Sequence, residues 1–454
     1  MSMNVPEIQT NYVKKIIQAV QSPTPEMLLN TRRQLYNRFA TAWLNRYFVN
    51  DEFASGKGNL AFLQIEGEGG ARASWMTSGS WITYAHKYKP ILFQLEHRYY
   101  GKSHPTEDLS NENLVYLTSQ QALGDLAFFI EAMNQNHNLT RDVKWIVFGG
   151  SYAGNLAAWV RLKYPHLVHG AMSASAPLLA KLDFPEYLED IEDSLRASNE
   201  KCSTILKQSI DQIDVLLHTA VGQKNLNDLF NLCEDISKNV HNSLDMYNFF
   251  MNLIIEVFAF VIQDNTAPDW LCGSLLDESI GPEINRLANI YKLVTNTSTQ
   301  CLSYKYDKDI SIIQNRTWES RGNFGDRQWT YQTCTEFGYY QTHPKFPLSF
   351  FVQRCQDIFR SSHNEMFLDR AINRTNVFYG GLDIEVSNVV FVHGSLDPWR
   401  LLGITKTLNE KAPVIMIEGA GHCANMYNPS EYDTPQLTAA RVQIGELIGT
   451  WINS

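Results

Sequence analysis

Ser151, Asp397 and His422 are the residues of this chain around which hydrolytic chemistry can be arranged. A serine hydroxyl is a weak nucleophile until a neighbouring base takes its proton, and that base needs an acid to hold its ring. Ser151 lies in Gly149-Gly150-Ser151-Tyr152-Ala153-Gly154, a G-x-S-x-A-G run. The run follows the apolar stretch Trp145–Gly149 and opens helical spacing over Tyr152–Tyr164. Such a strand–turn–helix context presents a serine hydroxyl at the end of a sheet. The Tyr152 N–H, at the start of that helix, is aimed at a developing oxyanion. A second donor is expected from the loop Gly67-Glu68-Gly69-Gly70, with Gly67 preferred and the Glu68 and Gly69 N–H groups as alternatives. That loop lacks the G-x-x-x-x-G-K-S/T pattern of a phosphate cradle. Asp397, in Gly394-Ser395-Leu396-Asp397-Pro398-Trp399, follows the apolar stretch Val389–His393, and His422, in Gly419-Ala420-Gly421-His422, follows Val414–Glu418. In a fold with this strand–turn–helix nucleophile the partners must follow in the order serine, acid, histidine, each after a late strand, and both positions are what that topology demands. Asp383 is the rival acid, but it precedes its strand.

The elements that must position these residues alternate. Strands are expected at Leu60–Gly67, Ile91–Arg98, Trp145–Gly149, Gly170–Ala176, Val389–His393 and Val414–Glu418. Helices are expected at Thr118–Asn134, Tyr152–Tyr164, Trp399–Glu410 and Thr438–Ile452, and residues 1–45 read as polar and helix-prone. Alternation of this kind implies a mostly parallel sheet covered on both faces, an α/β fold. Between residues 177 and 370 helical patterns dominate and six of the seven cysteines fall, which reads as a cap inserted between a first core part, 1–176, and a second, 371–454. At 454 residues the chain exceeds the ~250–300 at which one core stops growing.

Net charge is −10, from 38 basic and 48 acidic residues with no basic run, so a nucleic-acid-binding face is not expected. The apolar stretch Phe249–Ile262 contains Asn252 and Glu256 and is shorter than the ~20 residues of a membrane helix, so it reads as buried and no membrane span is expected. Met1–Val20 shows no apolar core ahead of a small-residue cleavage site, so no signal peptide is read there. Clustered cysteines without C-x-x-C spacing, with N-x-S/T sequons at Asn138, Asn296, Asn315 and Asn373, nevertheless suggest a glycosylated, secreted or endolysosomal protein. The alternative is a cytosolic protein with buried thiols. No cofactor or metal is expected.

Several blocks resemble the prolyl carboxypeptidase / dipeptidyl peptidase II family of serine peptidases. They are Glu96-His97-Arg98-Tyr99-Tyr100-Gly101-Lys102-Ser103, the run around Ser151, Tyr331-Gln332-Thr333-Cys334-Thr335-Glu336, and Gly394–Trp399. Leu182–Tyr187 and Gly421-His422-Cys423 carry a closer match to one branch of it. The resemblance covers about residues 45–450 and departs at Gln34–Phe39. It implies an α/β-hydrolase core under a helical, disulfide-bearing cap, and cleavage of peptides beside proline at a chain end. It implies pairs Cys202–Cys272, Cys233–Cys301 and Cys334–Cys355, leaving Cys423 free; spacing alone leaves the connectivity open. Trp329, Tyr331 and Trp399 are candidates for the proline slot, and Glu336 or Asp326 for capture of a substrate amine, since Thr330 stands where dipeptidyl members carry an acid. A homodimer is compatible with this reading. The competing readings are a carboxylesterase or lipase on the same core, and a non-catalytic peptide binder.

Overall fold

The computed structural model describes residues 9–16, 42–263, 268–295, 301–319, 325–407 and 409–454. Gln34–Phe39 and the Asn296 sequon lie outside them. Among the described residues ten strands run in chain order: β1 Gln9–Ile16, β2 Ala42–Asn50, β3 Leu60–Ile65, β4 Ile91–Leu95, β5 Lys144–Gly150, β6 Gly170–Ala174, β7 Lys181–Asp183, β8 Gly338–Tyr340, β9 Val389–Gly394 and β10 Val414–Ile417. Eight of them form one sheet in the order β1-β2-β4-β3-β5-β6-β9-β10, antiparallel at the β1–β2 and β2–β4 pairings and parallel thereafter. This is the α/β-hydrolase order.

The central strands are buried on both faces, so they read as continuous apolar runs. Along β5, Trp145 and Val147 face one core with the helices Ser119–Asn136 and Tyr152–Lys163, while Ile146 and Phe148 face the other with Ser80–Tyr88 and Pro435–Asn453. Two expectations are corrected. The N-terminal stretch contributes strands, β1 and β2, where helix was expected. Arg46 and Asn50 give β2 a polar look, yet each is engaged, Arg46 with the Glu96 carboxylate and Asn50 with the Met76 carbonyl. The helix expected over Trp399–Glu410 is only a short 3-10 turn, Pro398–Leu402. Asp397 caps this turn, accepting from the Trp399 N–H at 3.1 Å, and the chain leaves the turn at Gly403.

Between β6 and β9 the chain builds a helical insert. Its helices include Glu186–Ser198, Glu200–Leu217, Ala220–Phe230, Glu283–Thr295, Asp326–Gln332, Leu348–Ile358 and Glu365–Tyr379. Asn199 and Thr219 cap two of them, accepting from Cys202 N and Gly222 N. Ser243–Gln263 is long and apolar enough to cross a membrane by composition, but 81% of its apolar window is buried inside the fold, as a core helix would be. Disulfides join Cys202–Cys272, Cys233–Cys301 and Cys334–Cys355, the pairs that the family resemblance implies, and Cys423 is free.

Candidate active site

Ser151 sits between β5 and the helix Tyr152–Lys163 with φ 58° and ψ −132°, a left-handed backbone that a non-glycine residue holds only under tertiary constraint. The constraint is visible. The Ser151 N–H donates to the Ala174 carbonyl at 2.9 Å, and its carbonyl accepts from Gly154 N at 2.8 Å. A Cβ on Gly149 would stand 2.0 Å from the Ala153 carbonyl oxygen, and one on Gly154 would stand 2.7 Å from the Ala174 oxygen, so the turn closes only with glycine at both positions. Gly67 packs against the same first turn, its Cβ position 3.2 Å from Ala153 N and 3.6 Å from the Tyr152 ring. The loop after β3 therefore lies beside the N–H groups that open the helix.

Asp397 and His422 meet across two stitched loops. Ser395 and Leu396 donate their N–H groups to the Ile417 and Ala420 carbonyls, each at 3.0 Å, and Gly419 N donates to Ser395 Oγ at 2.9 Å. His422 Nδ1 lies 3.0 Å from Asp397 Oδ1. The carboxylate is wholly buried and the imidazole 12% exposed. Burial opposes charge on the ring, but the Asp397 carboxylate, helped by Cys423, prevails and raises His422 well above its ordinary value. Burial likewise pushes the Asp397 carboxyl up, and the facing imidazole overcomes this and lowers it. With Nδ1 engaged by Asp397, Nε2 is the nitrogen left to serve as a base. The free Cys423 lies close by, its N–H donating to Ser175 Oγ at 2.8 Å.

The expected pocket residues separate. Trp399 is half-buried among Tyr339, Tyr187 and Phe184, with ring centroids 5.5, 5.3 and 5.8 Å away. Trp329 lies 5.6 Å from the Tyr152 ring, and Phe337 bridges Trp329 at 6.0 Å and Tyr339 at 5.7 Å. These side chains form a continuous aromatic wall that reaches the ring of Tyr152, the residue after Ser151, with Trp329 and Trp399 partly exposed and Phe337 and Tyr339 buried behind them. Tyr331 is elsewhere, packed edge-on against Phe359 at 5.3 Å. Glu336 is buried and occupied: its oxygens accept from Ser119 N at 2.9 Å and Ser119 Oγ at 2.8 Å. Burial raises its carboxyl to about 7 in spite of those bonds. Asp326 is exposed at the start of its helix. Glu68 is half-buried and close enough to His422 for its charge to be felt, although burial raises its carboxyl. Sequence reasoning overlooked Phe184, Tyr187 and Tyr339 as wall residues. The first two lie inside the Leu182–Tyr187 block and Tyr339 just past the Tyr331–Glu336 block, so the signal was an aromatic excess beside recognised motifs.

The family model for serine carboxypeptidase S28 matches residues 36–444. A putative serine protease of Caenorhabditis elegans is 33% identical over 90% of this chain and 84% of its own length. Mouse thymus-specific serine protease is 31% identical over the same shares of each chain, and human lysosomal Pro-X carboxypeptidase is 27% identical, again over 90% and 84%. Among solved structures, a proline iminopeptidase of Mycobacterium smegmatis is similar at 10% identity and a TM-score of 0.42, covering 90% of this chain and 96% of that one. The chain belongs to the serine carboxypeptidase S28 family and is a serine-type peptidase.

Proposed function

We propose that Ser151, Asp397 and His422 are the catalytic triad of an exopeptidase that cleaves peptides next to proline. The observation that carries the reading is the 3.0 Å Asp397–His422 pair, together with a strained serine turn at the end of β5 whose Gly150 packs against Cys423, the neighbour of His422. His422 takes the Ser151 proton as the hydroxyl attacks the scissile carbonyl, then returns it to the leaving amine; water repeats the cycle on the acyl-enzyme. Asp397 holds the tautomer and offsets the imidazolium charge. The N–H of Tyr152, with one from the Gly67 loop, receives the oxyanion. Proline fits the partly exposed Trp399 and Trp329, which Tyr339 and Phe337 back from within, because a rigid apolar ring packs on aromatic faces. The relative named for Pro-X carboxypeptidase activity supports the same preference.

The core is taken as residues 1–176 and 371–454, and the cap as 177–370. Passage through an oxidising secretory route, ending outside the cell or in an endolysosome, accounts for three disulfides. It also accounts for exposed sequons at Asn138, Asn315 and Asn373. At Asn315 the side-chain oxygen accepts from Thr317 N and Oγ1, both at 3.0 Å, so this sequon is already folded as a compact turn. A homodimer belongs to the same proposal and is checked by sedimentation.

The test is a library of proline-containing peptides incubated at mildly acidic and at neutral pH, with products read by mass spectrometry and Ser151→Ala as the control. Loss of one C-terminal residue after proline defines a carboxypeptidase; release of X-Pro dipeptides defines a dipeptidyl peptidase. Ser151-dependent cleavage of acyl esters without any proline dependence would turn the assignment to an esterase.

A further inference from the structure

We propose that the cap carries two positioning residues, Gln263 and Gln332, which between them hold all three loops of the triad; the inference rests on the triad assigned above. Gln263 ends the cap helix Ser243–Gln263 and is 7% exposed. Its backbone carbonyl accepts the His422 N–H at 2.9 Å. Its side-chain Oε1 accepts from Trp399 Nε1 at 2.8 Å and from Tyr187 Oη at 2.6 Å. An amide oxygen has two lone pairs, and both are used. Trp399 is the residue whose N–H also binds the Asp397 carboxylate. One cap residue thus touches the base directly and the acid's loop through its tryptophan.

Gln332 does the same for the nucleophile. It is fully buried, and its Nε2 donates to Tyr152 Oη at 2.9 Å, while its Oε1 accepts from Tyr100 Oη at 2.6 Å. The direction of the remaining bonds follows. His97 Nδ1 faces the Arg98 carbonyl at 2.6 Å, so the proton sits on Nδ1 and is donated there. His97 Nε2 then accepts from Tyr152 Oη at 3.0 Å. Every member of the chain Tyr100, Gln332, Tyr152, His97, Arg98 has one consistent role, and a buried network with all its members satisfied is rigid. Burial keeps His97 neutral by lowering it to about 3, so this chain does not change its pattern in the working range. Tyr152 is the residue after Ser151, and gripping its side chain fixes the N–H aimed at the oxyanion. Neither contact has a local signature: Gln263 and Trp399 are 136 residues apart, and Gln332 and Tyr152 are 180 apart.

Both glutamines lie on the insert, whereas Trp399, His422, Tyr152 and Tyr100 lie on the core, so a seated cap is a condition for an aligned triad. A small displacement of a catalytic group is costly; about 1 Å is worth roughly 100-fold in rate.

The experiment measures the rate at which a fluorophosphonate labels Ser151, as a function of pH, in the full chain and in Gln263→Met, Gln263→Glu and Gln332→Met, with melting curves for each and kcat and KM on a cleaved peptide. Labelling does not depend on proline preference, so it separates this inference from the substrate reading. Gln263→Met keeps length and loses the acceptor. It is expected to slow labelling about 10-fold or more and to move the acid limb to lower pH, because a loosened Asp397 no longer raises His422. Gln263→Glu keeps an acceptor oxygen and is expected to return the rate to within about 3-fold of the parent. Gln332→Met is expected to lower the labelling rate and kcat with KM and the acid limb in place, since it acts on the oxyanion donor. Parent-like rates and limbs in both methionine variants overturn the inference, as does a loss that only matches the unfolded fraction. If the parent is not labelled, or Ser151→Ala is, the triad assignment falls first.

Discussion

At the scale of single residues the site turns on the pairing of His422 with Asp397. The carboxylate outweighs burial and raises the imidazole, and the base is active only when neutral. The sign follows: kcat/KM is expected to rise with pH along a limb set above the 6.5 of an ordinary histidine, and to be lost as pH falls through it. Asp397→Asn removes the charge that raises the ring, so the residual limb moves down while kcat drops by about 10⁴-fold. A pH profile of Asp397→Asn that overlays the parent's would show that another group sets the limb. The three residues proposed as the triad were legible in the sequence because this kind of fold places each in the loop after a strand. Glu336 was legible as a carboxylate and misleading as a free one. Its partner Ser119 is 217 residues away, and nothing local announces that both of its oxygens are engaged. Gln263 and Gln332 were invisible for the same reason, being neutral side chains whose roles exist only once the cap is folded onto the core.

At the scale of elements, Glu336 joins the segment Thr333–Phe337 of the cap to the first turn of the core helix Ser119–Asn136. A carboxylate at a helix N-terminus is favourable, but here burial wins and raises it from 4.5 to about 7. A raised folded value means the contribution is present below about pH 4.5 and is lost as pH climbs through about 7. Glu336→Gln, neutral throughout, is expected to match the parent at low pH and to exceed it above neutrality by on the order of 3 kcal/mol. Denaturation of both proteins across pH checks this, and a difference independent of pH would assign the contact to hydrogen bonding alone. The parallel strands β3 to β6 and β9 were readable because burial on both faces makes them nearly continuous apolar runs, and edge strand β10 was readable because it is apolar throughout even though Met416 is exposed. Strand β2, which lies between β1 and β4, was not, since Asn45, Arg46 and Asn50 interrupt its pattern. Arg46 and Asn50 answer to distant partners, and tertiary pairing decides strand formation more than local preference does. The turn at Pro398–Leu402 was mistaken for a longer helix because apolar spacing continues past Gly403, where the backbone does not.

For the whole molecule, the buried titratable groups divide into two opposed sets. Burial raises Glu66 from 4.5 to about 8 and Glu336 to about 7, so both favour the folded state below about pH 4.5 and lose that contribution as pH rises through those values. Burial lowers His97 from 6.5 to about 3 and His393 to about 4, so both favour the folded state above 6.5 and lose it as pH falls through those values. Between 4.5 and 6.5 the two slopes oppose each other, and stability is expected to be nearly flat there. Above that window the carboxylates ionise against burial. His422, raised by Asp397, adds to the fall as it loses its proton, since a raised histidine stabilises only while protonated. Below the window the histidines must charge in an apolar setting. Urea midpoints measured from strongly acidic to mildly alkaline pH should therefore trace a plateau on the acid side of neutrality with a decline on each flank. A midpoint that keeps rising past neutrality would remove the carboxylates as the controlling groups. The catalytic limb starts where this plateau ends, because the proton whose loss frees His422 to act as a base is the one that helps hold the fold. Activity and stability in this peptidase are then expected to trade against each other across neutral pH. Asp397→Asn should weaken that trade, since His422 then returns toward its ordinary value and the alkaline flank becomes shallower.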